Sequence, residues 1–333
     1  MKKVTMSDIA KEMGISTVSV SKALSGKDGV SQEVREQIKE KAAEMGYRYN
    51  SIAQNMKEGV SYNIGVVVAE RFFSDNSFYS DLYQKVVKEC SKQGYSSILE
   101  IISREDEKQG KLPNMVTFSK VDGLIILGQM KSKYIEKLLD VGMPYIFMDF
   151  YDEHNLVDSV VSDSVHGSYL LTNHLIKMGH TKIGFVGDIH ATSSILDRYV
   201  GYYKAMVQNH LEVRDEWVIS DRNEDGDYIS MCSGITMPTA FVCNCDEAAY
   251  HFVTELKEEG YRVPEDISVV GFDDFIFARL CAPMLTTFRI DLELMSEVAV
   301  SAIIKKVHDE NYRIGRKVIG GELVFRDSVI EAQ

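Results

Sequence analysis

Val4-Thr5-Met6-Ser7-Asp8-Ile9-Ala10-Lys11-Glu12-Met13-Gly14-Ile15-Ser16-Thr17-Val18-Ser19-Val20-Ser21-Lys22-Ala23-Leu24-Ser25-Gly26 is the stretch on which the fold turns. Thr5 followed three residues later by Asp8 has the form of a capping box, in which each side chain satisfies the other's free backbone N–H. The spacing of Ile9, Ala10 and Met13 predicts a short helix with one apolar face. Gly14 ends it, because glycine takes a left-handed φ at little cost. Ser16 caps a second helix over Thr17–Leu24, expected to bury Val20 and Leu24. After the Gly26–Gly29 turn, Ser31 caps a third helix with Val34, Ile38, Ala42 and Met45 on one face. Three short helices with a tight turn between the first two form a helix-turn-helix head.

The second helix leaves Thr17, Val18, Ser19, Ser21 and Lys22 facing outward. Short hydroxyls bond phosphates without steric cost, Lys22 reaches a guanine edge or a phosphate, and Val18 suits a thymine methyl. A merely hydrophilic surface helix is the other reading of this pattern. Charge is distributed to match a nucleic-acid head. Residues 1–60 carry ten Lys/Arg against eight Asp/Glu, whereas the rest carry 27 against 42, within a net charge of −13. A generally basic nucleic-acid coat is therefore excluded, and any DNA contact falls to the faintly basic head.

These residues also carry a resemblance. Val4 to Ala10, Gly14-Ile15-Ser16, Val18 to Lys22 and Leu24-Ser25-Gly26 resemble the opening signature of the LacI/GalR (lactose/galactose repressor) family. Gly46-Tyr47-Arg48-Tyr49-Asn50-Ser51-Ile52-Ala53 is similar to the family's next block. The resemblance implies that Thr17, Val18 and Lys22 read bases, while Thr5, Ser16, Ser19 and Ser21 seat the head on phosphates. It matches residues 50–58 to a hinge helix, formed when two subunits share an operator, with Asn50, Ala53 and Met56 on the DNA. Met56 takes the place of an apolar wedge inserted into the minor groove. Two departures stand nearby: Tyr49 where proline is usual, and Gln54 where arginine is common.

From Asn63 the texture changes to alternating strands and helices. Ile64–Val68, Ser97–Ile102, Gly123–Leu127 and Tyr145–Met148 read as buried strands, with a helix over Leu82–Gln93 ended by Gly94. After Leu156 the rhythm restarts: helix Ser168–Met178, strand Ile183–Val186, helix Arg198–Gln208, strand Ala240–Cys243, helix Ala248–Gly260 and strand Ser268–Gly271. Such alternation means parallel sheets covered on both faces, and ligands bind beyond the carboxyl ends of the strands. The expected architecture is α/β. A three-helix helix-turn-helix head (1–49) and a hinge helix (50–60) precede two doubly wound parallel-sheet lobes of the periplasmic-binding-protein type (61–333). The lobes are expected at roughly 61–160 with 290–318, and 161–289 with 319–333.

Several body segments resemble the same family, among them Val263-Pro264-Glu265-Asp266-Ile267-Ser268-Val269-Val270-Gly271-Phe272-Asp273-Asp274. The resemblance places Phe78, Asp149, Ser194, Arg198, Asp246 and Asp273 at effector contacts, and puts Cys245 where a ligand-binding asparagine is usual. Carboxylates accept bonds from vicinal hydroxyls and a guanidinium donates in a fixed fork, which suits a sugar. Tyr79, with Phe72, Phe73, Phe78, Phe150 and Tyr151, adds stacking surface or core packing. Carbohydrates are the family's commonest effectors; purines and nucleosides also occur.

The remaining features narrow the class. The five scattered cysteines form no disulfide framework, and Cys243 and Cys245 read as packed thiols on a buried strand, so no metal is expected. The sequence shows neither a signal peptide nor an apolar run of membrane-spanning length, which predicts a cytoplasmic protein. No nucleophile elbow, phosphate loop, zinc-protease helix or dinucleotide fingerprint is present, so an enzyme is not expected and no cofactor is implied. The expected partners are palindromic operator DNA, a sugar or glycoside effector and a second copy in a homodimer, with no membrane. A protein co-regulator acting on the same head is the nearer rival; a solute-binding protein or an enzyme is the more distant one.

Overall fold

The computed structural model describes residues 4–47, 59–73, 78–152, 157–223, 225–232 and 236–332. Asn50, Ala53 and Met56, with Tyr49 and Gln54, lie outside them. The chain divides into two compact units, Met1–Ser61 and Tyr62–Gln333.

The first unit contains α1 (Met6–Met13), α2 (Thr17–Leu24) and α3 (Gln32–Glu44). The capping box forms: the Thr5 amide donates to Asp8 Oδ2 at 2.8 Å and the Asp8 amide to Thr5 Oγ1 at 3.3 Å. Ser16 and Ser31 accept the amides of Ser19 and Val34 in the same way, so all three helices begin where their hydroxyls predict. Gly14 takes φ 64° at the end of α1. The core consists of Ile9, Ala10, Val20, Ala23, Ile38 and Ala42. The expectation for α2 needs correction, because Ala23 is buried beside Val20 whereas Leu24 is half-buried at the margin. Ala23 falls one turn after Val20, on the same face. Met45 caps α3 instead of lying within it.

In the second unit the first lobe is a six-stranded parallel sheet. It comprises β1 (Asn63–Ala69), β2 (Ser96–Ile102), β3 (Gly123–Leu127), β4 (Tyr145–Met148), β5 (Ser159–Ser162) and β11 (Arg316–Ile319), in the order β11-β5-β4-β3-β1-β2. The second lobe has β6 (Ile183–Val186), β7 (Val218–Ile219), β8 (Ala240–Cys243) and β9 (Ser268–Val270), also parallel, in the order β7-β6-β8-β9. An antiparallel pair, β10 (Thr287–Ile290) with β12 (Gly321–Val324), completes it. The central strands β1, β3 and β4 are almost wholly buried, as apolar runs between two helical layers must be. β2 is not buried as expected: it pairs only with β1 at the sheet edge and is half-exposed.

Five body helices matter below: α4 (Phe78–Lys92), α5 (Ser164–Lys177), α6 (Ser193–Gln208), α7 (Asp246–Glu258) and α8 (Leu292–His308). Four of them (α4 to α7) start earlier than their apolar spacing indicates, and in the last three a capping side chain is the reason. Asp163 accepts the His166 amide, Thr192 the Ile195 amide, and the Cys245 thiol the Ala248 amide. Cys245 thus lies beyond β8, not on it; only Cys243 is a strand thiol.

The chain crosses between lobes three times, at Asp163, Asp291 and Gly320. Asp163 and Asp291 each cap the helix that follows, and the Asp163 amide donates to the Ile319 carbonyl at 2.9 Å, tying the first crossing to the third. Inside the first lobe a buried ion pair, Lys306 Nζ to Asp158 Oδ2 at 2.7 Å, fastens α8 beneath the sheet.

Candidate nucleic-acid interface and ligand cleft

In the first unit, α2 presents Thr17 and Val18 to solvent, and Val18 is 65% exposed although apolar. A β-branched residue so displayed on a helix of this size contributes nothing to the core and is free to meet an apolar partner. Lys22 is exposed on the same helix, with Ser19 and Ser21 half-buried beside it. Thr5 and Ser16 are exposed as well, and both already hold helix caps, the Ser16 hydroxyl also meeting that of Ser19 at 2.9 Å. The hydroxyls and the ammonium expected on one surface are therefore exposed or half-exposed side chains of the first two helices and their caps.

In the second unit, all eight residues expected at an effector line a single cleft of about 720 Å³ at the carboxyl ends of the strands. They are Phe78 and Tyr79 from α4, Asp149 after β4, Ser194 and Arg198 on α6, Cys245 and Asp246 after β8, and Asp273 after β9. Arg198 is the centre. Its Nη2 donates to Asp273 Oδ1 at 3.1 Å and its Nη1 to the Asn244 carbonyl at 2.6 Å, while the guanidinium lies 4.0 Å from the centre of the Phe272 ring. Tyr79 donates its hydroxyl proton to Asp149 Oδ2 at 2.8 Å. Asp149 and Asp273 stand at φ 68° and 105°, backbone conformations that aspartate tolerates better than most residues. Such placements concentrate at functional sites, where surrounding structure fixes them.

The electrostatics follow from two buried carboxylates facing one guanidinium. Burial pushes Asp273 up to about 7, against the pull of Arg198, and the neighbouring Asp149 adds to the rise. Asp149 is raised by burial too, again with Arg198 opposing. Burial works against the charge on Arg198, but Asp273 and Asp149 more than compensate and hold it above the usual arginine value. Among the described residues, Asp149 Oδ1 and Arg198 Nε are buried without a hydrogen-bond partner. One is an acceptor and the other a donor, the complement of a hydroxyl.

The other expected residues have different work. Asp246 is spent on scaffolding: Oδ1 accepts from the Thr287 hydroxyl at 2.7 Å and Oδ2 from the Phe275 amide at 2.8 Å. Gly271 is required beside it, because a Cβ there would collide with that carboxylate. The Ser194 hydroxyl pairs with Thr192 at 3.0 Å, and Cys245 caps α7 with its thiol 3.9 Å from the Tyr228 hydroxyl. Sequence reasoning missed other residues of the cleft lining. Arg71 forms a bidentate pair with Glu107 at 2.5 and 3.2 Å, and Arg222 pairs with Asp221 and lies over the Tyr228 ring. Arg104 reaches Asp227 at 2.7 Å. These residues sit in short helices and in the loop after the two-residue β7, where no periodicity marks them.

A helical head with an exposed polar face, joined to two parallel-sheet lobes around a buried polar cleft, defines a DNA-binding regulator with a ligand-binding body. The comparisons agree with this class. Residues 5–50 match the family model of bacterial regulatory proteins of the lacI family, and residues 172–329 match that of the periplasmic binding protein-like domain. The HTH-type transcriptional repressor PurR of Haemophilus influenzae (strain PittEE) is 31% identical over 338 residues, covering 98% of each chain. That of Glaesserella parasuis serovar 5 is 28% identical over 339 residues, with the same coverage. The lac repressor dimer bound to operator and the anti-inducer ONPF shares the fold with a TM-score of 0.80 at 23% identity, covering 99% of this chain and 100% of that one. A complex of the transcriptional regulator CelR with cellobiose gives 0.69 at 24% identity, covering 98% and 100%.

The chain belongs to the lacI family of bacterial regulatory proteins and is a DNA-binding transcriptional repressor of that family. The family is one of transcriptional regulators, not of enzymes. Among the described residues no helix is long and apolar enough to cross a membrane, and no group of three or more His, Cys, Asp or Glu is placed to hold a metal ion.

Proposed function

We propose that this repressor binds a palindromic operator in the cytoplasm as a homodimer, and that a sugar or glycoside in the interlobe cleft sets its operator affinity. The observation that carries the reading is the buried set of Asp149, Arg198 and Asp273, with one acceptor and one donor left unpartnered among the described residues. Asp149 belongs to one lobe and Arg198 and Asp273 to the other, so a hydroxylated ligand bonded to all three changes the free energy of one lobe arrangement relative to another. Differential binding of that kind is what allostery requires. Thr17, Val18 and Lys22 then read bases, Thr5, Ser16, Ser19 and Ser21 hold phosphates, and Asn50, Ala53 and Met56 serve the hinge.

A second reading has its own support. Repressors named PurR stand among the relatives, and Phe72, Phe78 and Tyr79 form an aromatic wall against which a planar base can lie. A purine or nucleoside co-repressor fits that wall.

Fluorescence anisotropy on a selected palindromic library, with and without sugars, glycosides, purines and nucleosides, tests both. One class should change operator affinity by roughly 5–150-fold. A purine response selects the second reading. Specific binding that no compound alters points to a protein co-regulator and removes the small-molecule switch.

A further inference from the structure

We infer that the outer face of α6 binds the same helix of another copy of this chain, antiparallel about a two-fold axis, and so joins two operator-sharing pairs. The pairing of two copies on one operator is taken from the proposed function, and the α6 contact is a second one added to it.

Gly201 decides which face of α6 meets water. A Cβ there would strike the Val165 carbonyl of α5, so the two helices touch at that point, and Arg198, Tyr202 and Ala205 turn into the lobe. The opposite face carries Leu196, half-buried, with Val200, Tyr203 and Val207 exposed by 44%, 48% and 50%. At about 100° of turn per residue, these four fall within roughly 60° of arc. Their spacing of four, three and four is that of a helix row made to receive another helix. Single apolar residues on a surface are ordinary, but a continuous row of them marks an interaction face.

Two observations name the occupant. First, the row reads the same from both ends. Leu196 and Val207 lie equally far from the midpoint between Gly201 and Tyr202, and so do Val200 and Tyr203. In an antiparallel pair centred there, Leu196 of each copy meets Val207 of the other, and Val200 meets Tyr203. That is the self-complementarity a two-fold interface requires. Second, the charges agree. Among the described residues of α6, Lys204 is the one exposed charge, and the half-buried Asp197 is the one beside it. They sit about 40° and 60° round from Val200, on the same flank of the row. Antiparallel pairing brings Lys204 of each copy within ~3 Å, along the axis, of Asp197 of the other. Parallel pairing would set Lys204 against Lys204. Beyond residue 60 the chain carries 27 Lys/Arg against 42 Asp/Glu, and two copies that meet at this nearly uncharged face avoid most of that repulsion. One helix pair buries less than the ~800 Å² per partner of a standard interface, so the contact is expected to be of micromolar strength and to tighten when both pairs are held on one DNA.

Sedimentation of the full chain from about 1 to 100 μM tests the contact, and the wild type should pass from dimer to tetramer in that range. In Val200→Glu two carboxylates meet beside the axis, and this second association should weaken at least about 100-fold. Its melting curve should match the wild type, because Val200 contributes no buried side chain to the lobe. Val200→Cys should oxidise to a cross-linked pair, since its two copies lie ~4.5 Å apart along the axis, whereas in Gln208→Cys they lie ~20 Å apart and should not. The wild type, with its five cysteines, is the blank for both. Affinity for a single selected palindrome should stay the same in Val200→Glu, while cooperative binding to DNA carrying two such palindromes should be lost. A wild type that forms no tetramer, an unchanged association in Val200→Glu, or equal cross-linking of the two cysteine variants overturns the inference. A fall in single-palindrome affinity overturns it too, because α6 would then belong to the operator-sharing pair itself.

Discussion

The head and the body place their polar groups by opposite means. In the head, Thr5 with Asp8 and Ser16 with Ser19 are partners three residues apart, and the display surface rests on a core of six buried side chains. In the body, Tyr79 reaches Asp149 across 70 residues, Arg198 reaches Asp273 across 75, and Arg104 reaches Asp227 across 123. The head keeps Lys22 and the hydroxyls of Thr5, Ser16 and Thr17 in water. The body removes Asp149, Arg198 and Asp273 from water and makes them depend on one another. A surface that must meet many DNA sequences weakly and one strongly profits from hydrated, locally fixed groups. A cleft that must distinguish ligands profits from groups whose desolvation makes a missing partner costly.

The largest test of this contrast is Arg198→Ala. It strands Asp273 and Asp149 in a buried site, and breaking such a pair costs about 3–5 kcal/mol. Hydrogen exchange should accelerate through the body while protection of α1–α3 stays as it was; equal loss in both units would erase the division drawn above. Next comes Ile9→Ala, a fully buried side chain in the small head core. A loss of about 2–5 kcal/mol is enough to unfold so small a unit, so specific operator binding should vanish while calorimetry still shows the body's transition. A retained operator affinity would mean that the head core is sturdier than its six residues suggest.

The smallest effect sharpens the account of the cleft. Asp273 has an ordinary value of 3.8 and stands at about 7 when folded, so between those pH values the folded body holds a proton that the unfolded chain has released. That contribution to stability is full below about pH 4 and is lost as pH rises to about 7. Asp273→Asn, which keeps the shape and tolerates the positive φ, lacks the titration. Its Tm relative to wild type should therefore climb from pH 5 to pH 7 and level off above, by on the order of 1 kcal/mol, or ~2–4 °C at this size. A difference independent of pH would show that Asp273 is charged throughout.

How much of this was legible follows from the same contrast. The head's helix starts could be read because each cap lies three residues from its partner; Leu24 was misplaced by one position of a helix face, and Met45 ends α3 where it was expected inside it. Most body strands could be read from their apolar runs, but β2 looked buried because composition does not reveal that a strand pairs on one side only. The start of α7 was hidden because a cysteine is an uncommon cap, and β5 was missed because Ser159-Val160-Val161-Ser162 is too short to show a period. Arg198 and Asp273 came from a resemblance, not from spacing. The Arg71–Glu107 and Arg104–Asp227 pairs had no local signal, since each joins segments that the chain brings together only through its topology.

The three crossings at Asp163, Asp291 and Gly320 bear on how the protein is made. A ribosome releases the head's 61 residues first, and that unit contains everything its core needs. Neither lobe is in that position. The first waits for α8 and β11 before its sheet and the Lys306–Asp158 pair can close. The second waits for β12 and for Ser328, which donates to the Val269 carbonyl and accepts the Thr286 amide. The nascent body must therefore hold two unfinished sheets, each with an unclosed edge, until nearly all of its residues have emerged. Synthesis yields a finished DNA-reading head well before the part that governs it can exist.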